Sequence, residues 1–268
     1  MKKNYKDITV ILTLYKTPIN KLNNLLNYKN YKILIFDQGG NVSTKRYLRN
    51  KLNLDIKYFS SKENIGLTRS SNFLLSKVKS KYCLFTQPDI SIYDKSIKIL
   101  KNIITKKKNL ILVAPNHKKK LKKKIDYKIE KKIDFSCALF DVKKLKKIGF
   151  FDEDFFLYWE DIFLERKINL SKFKMAIANK AKVKHNSSQS SKKSYKTEYI
   201  RRLNFMYGEL VFDFKLKKLR LLKILRKLIQ NSFLFVFNIL FFQLKEAIGN
   251  VARIIGLFKF INFYIKKY

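Results

Sequence analysis

The chain has 268 residues, 46% of them hydrophobic, and carries 60 Lys and Arg against 20 Asp and Glu, a formal net charge of +40. That length suffices for a sizeable core in one large domain or two small ones, and the charge predicts attraction to polyanions: nucleic acid, an anionic membrane surface or phosphate-bearing substrates. Its two cysteines, Cys83 and Cys137, lie in apolar stretches without CxxC spacing, which excludes a disulfide scaffold or a cysteine-bound metal and predicts buried, reduced thiols in a cytosolic protein.

Short apolar runs then alternate with longer segments of helical periodicity. ITVILTL is followed by PINKLNNLLNY, YKILIF by VSTKRYLRNKL, LDIKYF by GLTRSSNFLLSKV, and KYCLFT by YDKSIKILKNIITK, before a last run, NLILVAP. The first run is too short for an export signal and no small-residue cleavage site follows it, so it reads as a strand. Strands bracketed by helices at this spacing predict an α/β fold with a mostly parallel sheet. Ligands of such sheets bind at the carboxyl ends of the strands. Here those positions are Thr13 to Tyr15, Asp37, Glu63 to Asn72 and Gln87 to Asp89, and none carries the Gly-rich dinucleotide or Walker pattern.

Residues 117 to 134, HKKKLKKKIDYKIEKKID, form a lysine block that reads as a solvated loop or exposed hairpin, with a phosphate or headgroup contact as the sharper alternative. Next comes GFFDEDFFLYWEDIFLERKINL, Gly149 to Leu170, which sets six carboxylates among aromatics. After His185 the segment NSSQSSKKSYKTE lacks apolar periodicity and reads as a mobile linker. Residues 199 to 268 are basic and helical in pattern, and their uncharged run from Leu228 to Leu244 is short and polar for a membrane span. A basic helix followed by an aromatic one fits the interface of an anionic membrane; a helical cap, a dimer contact and a true span are the alternatives.

Taken singly these features are bland. Asp37 suits a helix N-cap, Gln87-Pro88-Asp89 suits a turn, and the Gly149 block suits an amphipathic helix with a wet acidic side. Their order is more informative. ITVILTLYKT, LIFDQGG, SKENIGLTRSSN, LFTQPDI, GFFDEDFFLYWEDIFLERK and AKVKH, in this sequence, resemble the inverting GT-A glycosyltransferases of family 2, in particular the rhamnosyltransferase-like branch that builds bacterial cell-surface polysaccharide. The resemblance covers about residues 6 to 190, and ENIGLTRSSN and GFFDEDFFLYWED are its most specific parts.

The resemblance implies a GT-A catalytic domain over residues 1 to 190, a Rossmann-like, mostly parallel sheet flanked by helices, with a basic α-helical tail over 191 to 268 on the membrane surface. It implies that Thr13, Tyr15, Asp37, Asn64, Gly66, Arg69 and Asp89 hold a nucleoside-diphosphate sugar, with Asn72 packing behind. A strand-end carboxylate accepts hydrogen bonds from a ribose or base, and a glycine opening a helix admits phosphate to backbone donors. The family's Asp-x-Asp motif is here Gln87-Pro88-Asp89, so one acid is missing; Asp89 and His185 are the implied ligands of a divalent cation, Mg²⁺ or Mn²⁺. Asp161 is the implied general base, with its pKa raised by the neighbouring Tyr158 and Trp159. Asp152, Glu153, Tyr158, Trp159 and Glu160 are implied on the acceptor and sugar side.

The implied acceptor is a glycan or a polyprenyl-diphosphate-linked glycan, met on the cytoplasmic face of the plasma membrane. Two other readings stay open at the level of sequence. A nucleic-acid-binding protein would explain the charge, but lysine outnumbers arginine 51 to nine, in a composition rich in Asn and Ile that fits AT-rich coding, and no nucleic-acid partner is expected. An inactive GT-A scaffold would explain Gln87, and the retained Asp161 argues against it.

Overall fold

The computed structural model describes residues 7–51, 53–117, 125–185 and 194–267. Two compact units divide the chain: Met1–Phe151 with Leu164–Lys192, and Asp152–Phe163 with Lys193–Tyr268.

The first unit holds the sheet. Its strands are β1 (Ile8–Tyr15), β2 (Lys32–Gln38), β3 (Ile56–Ser61), β4 (Tyr82–Phe85), β5 (Ile90–Ile92), β6 (Leu110–Asn116), β7 (Tyr127–Glu130), β8 (Ala138–Asp141) and β9 (Lys174–His185), and its helices are α1 (Val42–Lys51), α2 (Leu67–Lys77), α3 (Asp94–Lys106) and α4 (Val142–Lys147). The order across the sheet is β3-β2-β1-β4-β8-β6-β9-β5, with β7 on β9. The stretch β3-β2-β1-β4 is parallel, β8 enters antiparallel, and β6 and β9 run parallel to each other. All five predicted strands and the helices between them form. The segment Ile19–Tyr28 is a 3-10 helix behind Pro18 and still buries Leu22, Leu25 and Tyr28.

Period-two alternation explains why the sheet is covered on both faces. Ile8, Val10, Leu12 and Leu14 of β1 face a core completed by the 3-10 segment and by Ile97, Leu100, Ile103 and Ile104 of α3. Ile11 faces the opposite core with Leu74 and Leu75 of α2, Phe36 and Phe85. Cys83 and Cys137 are buried and free, one on each side, as expected. Of the lysine block, residues 118–124 lie outside the described residues, and Tyr127–Glu130 is a strand against β9.

The second unit is helical: α6 (Tyr195–Lys215), α7 (Leu221–Leu240) and α8 (Leu244–Lys267), joined by the segment Asp152–Phe163, which contributes the first turn of α5 (Glu160–Asn169). The serine-rich linker falls partly on residues 186–193, outside the described residues, but its last part is not a linker. Ser194 and Thr197 form a reciprocal capping box, so the helix starts at Tyr195. The core here is Phe155, Met206, Tyr207, Leu210, Val211, Leu257 and Phe260. α8 meets α6 through small residues: a Cβ on Gly256 would stand 2.5 Å from the Leu203 carbonyl oxygen. The uncharged run Leu228 to Leu244 is not one helix; α7 stops at Leu240, and Phe242 turns the chain with φ +56°. Among the described residues one helix, α8, is long and apolar enough to cross a membrane, and 33% of its most apolar window is buried within the protein.

Candidate active site

The carboxyl ends of β1, β2, β3 and β4 share one edge of the sheet. Register places Leu14 beside Asp37 and Asp37 beside Ser60, so Thr13 and Tyr15 flank the strand tip that carries the acid. Asp37 is 3% exposed and accepts hydrogen bonds from the backbone N–H of Asn41 at 3.2 Å and from the Tyr58 hydroxyl at 2.7 Å. The Gly39-Gly40 turn, with φ +101° and +50°, returns the chain so that Asn41 reaches back to the carboxylate. Burial, and then the bond and charge of Asp37, push the Tyr58 phenol well above its ordinary value, so it stays a donor. Sequence reasoning passed over Tyr58; the signal was its place on β3, one strand over in the same parallel set.

The segment after β3 turns at Asn64, whose side-chain oxygen accepts from the Gly66 N–H at 3.0 Å. Gly66, at φ +90°, is the N-cap of α2, a conformation that a side chain would oppose. The first backbone N–H groups of α2 are thereby presented to a ligand at the positive end of the helix, and Arg69 is exposed in its first turn. Asn72 sits deeper in the same helix. Its amide donates to the Phe151 carbonyl at 2.9 Å and accepts from the Phe151 N–H at 3.2 Å.

Gln87-Pro88-Asp89 follows β4 as a turn closed by the Ile90 N–H on the Gln87 carbonyl, and Asn24 donates to the Pro88 carbonyl at 2.8 Å. Asp89 is 1% exposed. Its neighbour Ile90 pairs across the sheet with His185, so the backbones that carry the two expected metal ligands run side by side. The His185 side chain lies outside the described residues. Among the described residues no three His, Cys, Asp or Glu side chains gather as a metal cluster. A donor set of one buried carboxylate and one imidazole fits a hard divalent cation whose other positions fall to phosphate oxygens and water.

In the second unit the acidic block is organised by aromatic packing. Tyr158 and Trp159 are consecutive non-glycine residues with φ +69° and +71°, each costing about 1–2 kcal/mol. The Trp159 ring offsets that cost: it packs on Phe205 and Phe212 with centroids 5.5 and 5.3 Å away, and its indole N–H donates to the Phe205 carbonyl at 3.1 Å. A Cβ on Gly208 would stand 2.9 Å from the Trp159 ring. Trp159 thus wedges the chain into α5, whose first hydrogen bond runs from the Phe163 N–H to the Trp159 carbonyl. Tyr158 meets Phe205 edge-on, and burial raises its phenol.

Desolvation falls on Glu160 rather than on Asp161. Glu160 is buried, its Oε2 has no hydrogen-bond partner among the described residues, and burial together with the charge of Asp161 pushes its pKa up to about 8. Asp161 is half-buried and accepts from the Ile162 N–H at 2.8 Å. At neutral pH Glu160 is therefore protonated beside Asp161. Asp152 and Asp154 both pair with Lys215, at 2.9 and 2.6 Å. Burial alone would raise Asp154, but the bond and charge of Lys215, helped by Lys267, outweigh it and hold that carboxyl below the usual range. Glu153 is exposed.

The mixed, mostly parallel sheet flanked by helices agrees with the comparisons. The model of the family described as "Glycosyl transferase family 2" matches residues 13–166, more than half of the chain. No curated protein matches it. Among solved structures the fold is similar to the mannosyltransferase PcManGT from Pyrobaculum calidifontis in complex with GDP-Man and Mn²⁺, at 13% identity and TM-score 0.53, over 76% of this chain and 64% of that one. GalNAc-T7 with UDP, GalNAc and Mn²⁺ gives 12% and 0.55, over 77% of this chain and 49% of that one. S. aureus TarS 1-349 gives 13% and 0.54, over 94% and 91%. The chain therefore spans less than two thirds of the first two proteins, and at these identities the likeness is one of fold. With the family match extending from the end of β1 into α5, the chain belongs to glycosyl transferase family 2.

Proposed function

We propose that the chain is an inverting glycosyltransferase that moves a sugar from a nucleoside-diphosphate donor to a hydroxyl of a glycan or a polyprenyl-diphosphate-linked acceptor, in cell-surface polysaccharide synthesis on the cytoplasmic face of the plasma membrane. The observation that carries this reading is the row of ligand-binding chemistry at one sheet edge: buried Asp37 with Tyr58, the Asn64–Gly66 entry to α2, and buried Asp89. The nucleotide solved with GDP-Man or UDP in the two structural neighbours supports the donor class. Rhamnose on a deoxythymidine diphosphate is the first donor to test, from the resemblance to the rhamnosyltransferase-like branch.

In this mechanism Thr13, Tyr15 and Asp37 hold the nucleoside, and the α2 N-terminus with Arg69 takes the diphosphate. Asp89 and His185 would hold Mg²⁺ or Mn²⁺, which supplies positive charge to the departing diphosphate. The acceptor oxygen forms its bond to the anomeric carbon as the bond from that carbon to the β-phosphate oxygen breaks. The nucleoside diphosphate leaves with the electron pair, configuration inverts, and the acceptor proton passes to Asp161. Protonated Glu160 adds no second negative charge beside that base. Asp152, Glu153, Tyr158 and Trp159 shape the acceptor side, Asp152 and Trp159 through Lys215, Phe205 and Phe212 rather than as unengaged groups.

Calorimetry of the purified chain with a panel of nucleoside diphosphates, with and without Mn²⁺, tests the reading. Metal-dependent binding of one nucleotide that Asp89→Ala abolishes supports it and names the sugars to screen. Tight binding of single-stranded DNA or RNA, with no nucleotide bound under any metal condition, overturns it.

A further inference from the structure

Helix α7 leaves an apolar stripe on its outer side. Leu222, Leu225, Ile229, Phe233, Val236 and Leu240 recur at three- and four-residue spacing, the stripe that a water-soluble helix turns to its core, and all six are exposed, from 45% to 78%. The opposite side mixes polar residues with Ile224 and Leu228, which pack partly buried against the helical core. Asn231 and Asn238 are the buried residues of α7. One helical turn apart, Lys223 and Lys227 reach inward to α6, where Lys223 pairs with Glu209 and Asp213 and Lys227 pairs with Glu209 at 2.9 Å. These ion pairs fix the rotation of α7 about its axis, so its apolar face is held outward by charge. The same face continues through Phe241 and Phe242, exposed at the turn into α8.

Cations gather where α7 begins. Asp213, Lys217, Lys218, Leu219, Arg220 and Lys223 line a cleft of about 570 Å³ at the α6–α7 corner, with a single carboxylate among them. Lys217, Lys218 and Arg220 make no ion pair among the described residues. Beyond Lys227 no charge occurs until Lys245.

We propose that α7 lies in the plane of an anionic phospholipid bilayer, with its apolar stripe and the Phe241-Phe242 turn in the acyl boundary and the corner cleft on lipid phosphate. Charge complementarity selects this occupant. A second copy would bring another chain of net charge +40 against the same cationic corner, whereas an anionic leaflet attracts each Lys or Arg. Apolar residues facing lipid avoid the exposure to water that an unpartnered stripe would suffer. The inference rests on and deepens the membrane location in the proposed function, and its test is separate from the transferase reading because membrane partition is read without turnover.

Flotation of the full chain with vesicles of phosphatidylcholine alone, and with equal parts of phosphatidylglycerol added, tests it. The expected result is partition into the anionic vesicles that weakens with salt. Ile229→Asn with Phe233→Asn lowers partition about ten-fold per residue, and Lys217→Gln, Lys218→Gln and Arg220→Gln together lower it about five-fold per charge. Circular dichroism is expected unchanged, since all five side chains are outside the core. A dye on Phe233→Cys gives a second readout: Cys83 and Cys137 are buried, so the label sits at 233, and its emission shifts to the blue on anionic vesicles. Wild-type protein that ignores anionic vesicles, variants that float like wild type, or a solution dimer that Phe233→Asn splits without any vesicle binding would each overturn the proposal.

Discussion

The side-chain amide of Asn72 clasps the backbone of Phe151 from both sides, donating to its carbonyl and accepting from its N–H. Both ends of the amide are used, and Phe151 is the last residue before the acidic segment opens at Asp152. Asn72→Ala leaves a donor and an acceptor of a buried residue unmet, a cost of about 1–3 kcal/mol. Urea unfolding should show a loss of stability of that size, read as a lower midpoint with the slope unchanged, and nucleotide binding should persist.

Tyr58 steadies Asp37 through one charge-assisted hydrogen bond. Tyr58→Phe is expected to weaken nucleotide affinity about three- to ten-fold, the range for one such bond. Asp37→Asn, which removes the carboxylate and leaves one acceptor oxygen, should weaken it more. Calorimetry on the two variants orders these effects, and equal losses would show that Tyr58 does more than position the acid.

Glu160 makes stability fall as pH rises. Its folded pKa is about 8 against an ordinary value of 4.5, so between those limits the folded chain holds a proton that the unfolded chain has lost. Its contribution is complete below pH 4.5 and diminishes until pH 8, a total of at most about 5 kcal/mol. Glu160→Gln, neutral throughout, removes this slope. Unfolding free energies across the range should show the variant gaining on wild type as pH rises, with no further gain above the folded pKa.

Asp161→Asn tests the division of labour within the pair. Turnover should drop about 10²- to 10⁴-fold, the usual range for a general base, while donor nucleotide affinity stays. Because the charge of Asp161 helps raise Glu160, the stability slope of Glu160 should also move to lower pH in this variant.

Gly256→Ala probes the seam between α6 and α8. The added methyl would meet the Leu203 carbonyl oxygen and, at 3.1 Å, the Met206 Cβ. Backbone cannot swing aside as a long side chain does, so a loss of about 1–3 kcal/mol is expected. Thermal unfolding followed by far-UV circular dichroism measures it.

The sheet was legible in the sequence because its strands alternate with helices and its two faces are both apolar, a pattern that period alone reveals. Asp37 and Asp89 could be found as acids that follow apolar runs. Tyr58 could not be tied to Asp37 by spacing, since the two meet only through strand register. Nor could the sequence decide which acid of Glu160-Asp161 loses its water, because adjacent residues on a helix point in different directions. The polarity of α7 was half-legible. Its outward stripe looked like an ordinary core face, and the inward ion pairs to Glu209 and Asp213, with Ile224 and Leu228 on the core, show which side is turned in.

Trp159 rests on Gly208, with a gap that admits no Cβ without movement. Positions 159 and 208 are therefore one mutable unit. A library that varies either alone will mostly sample misplaced starts of α5, while paired changes, a smaller ring at 159 with a methyl at 208, keep the pair Glu160-Asp161 presented as it is.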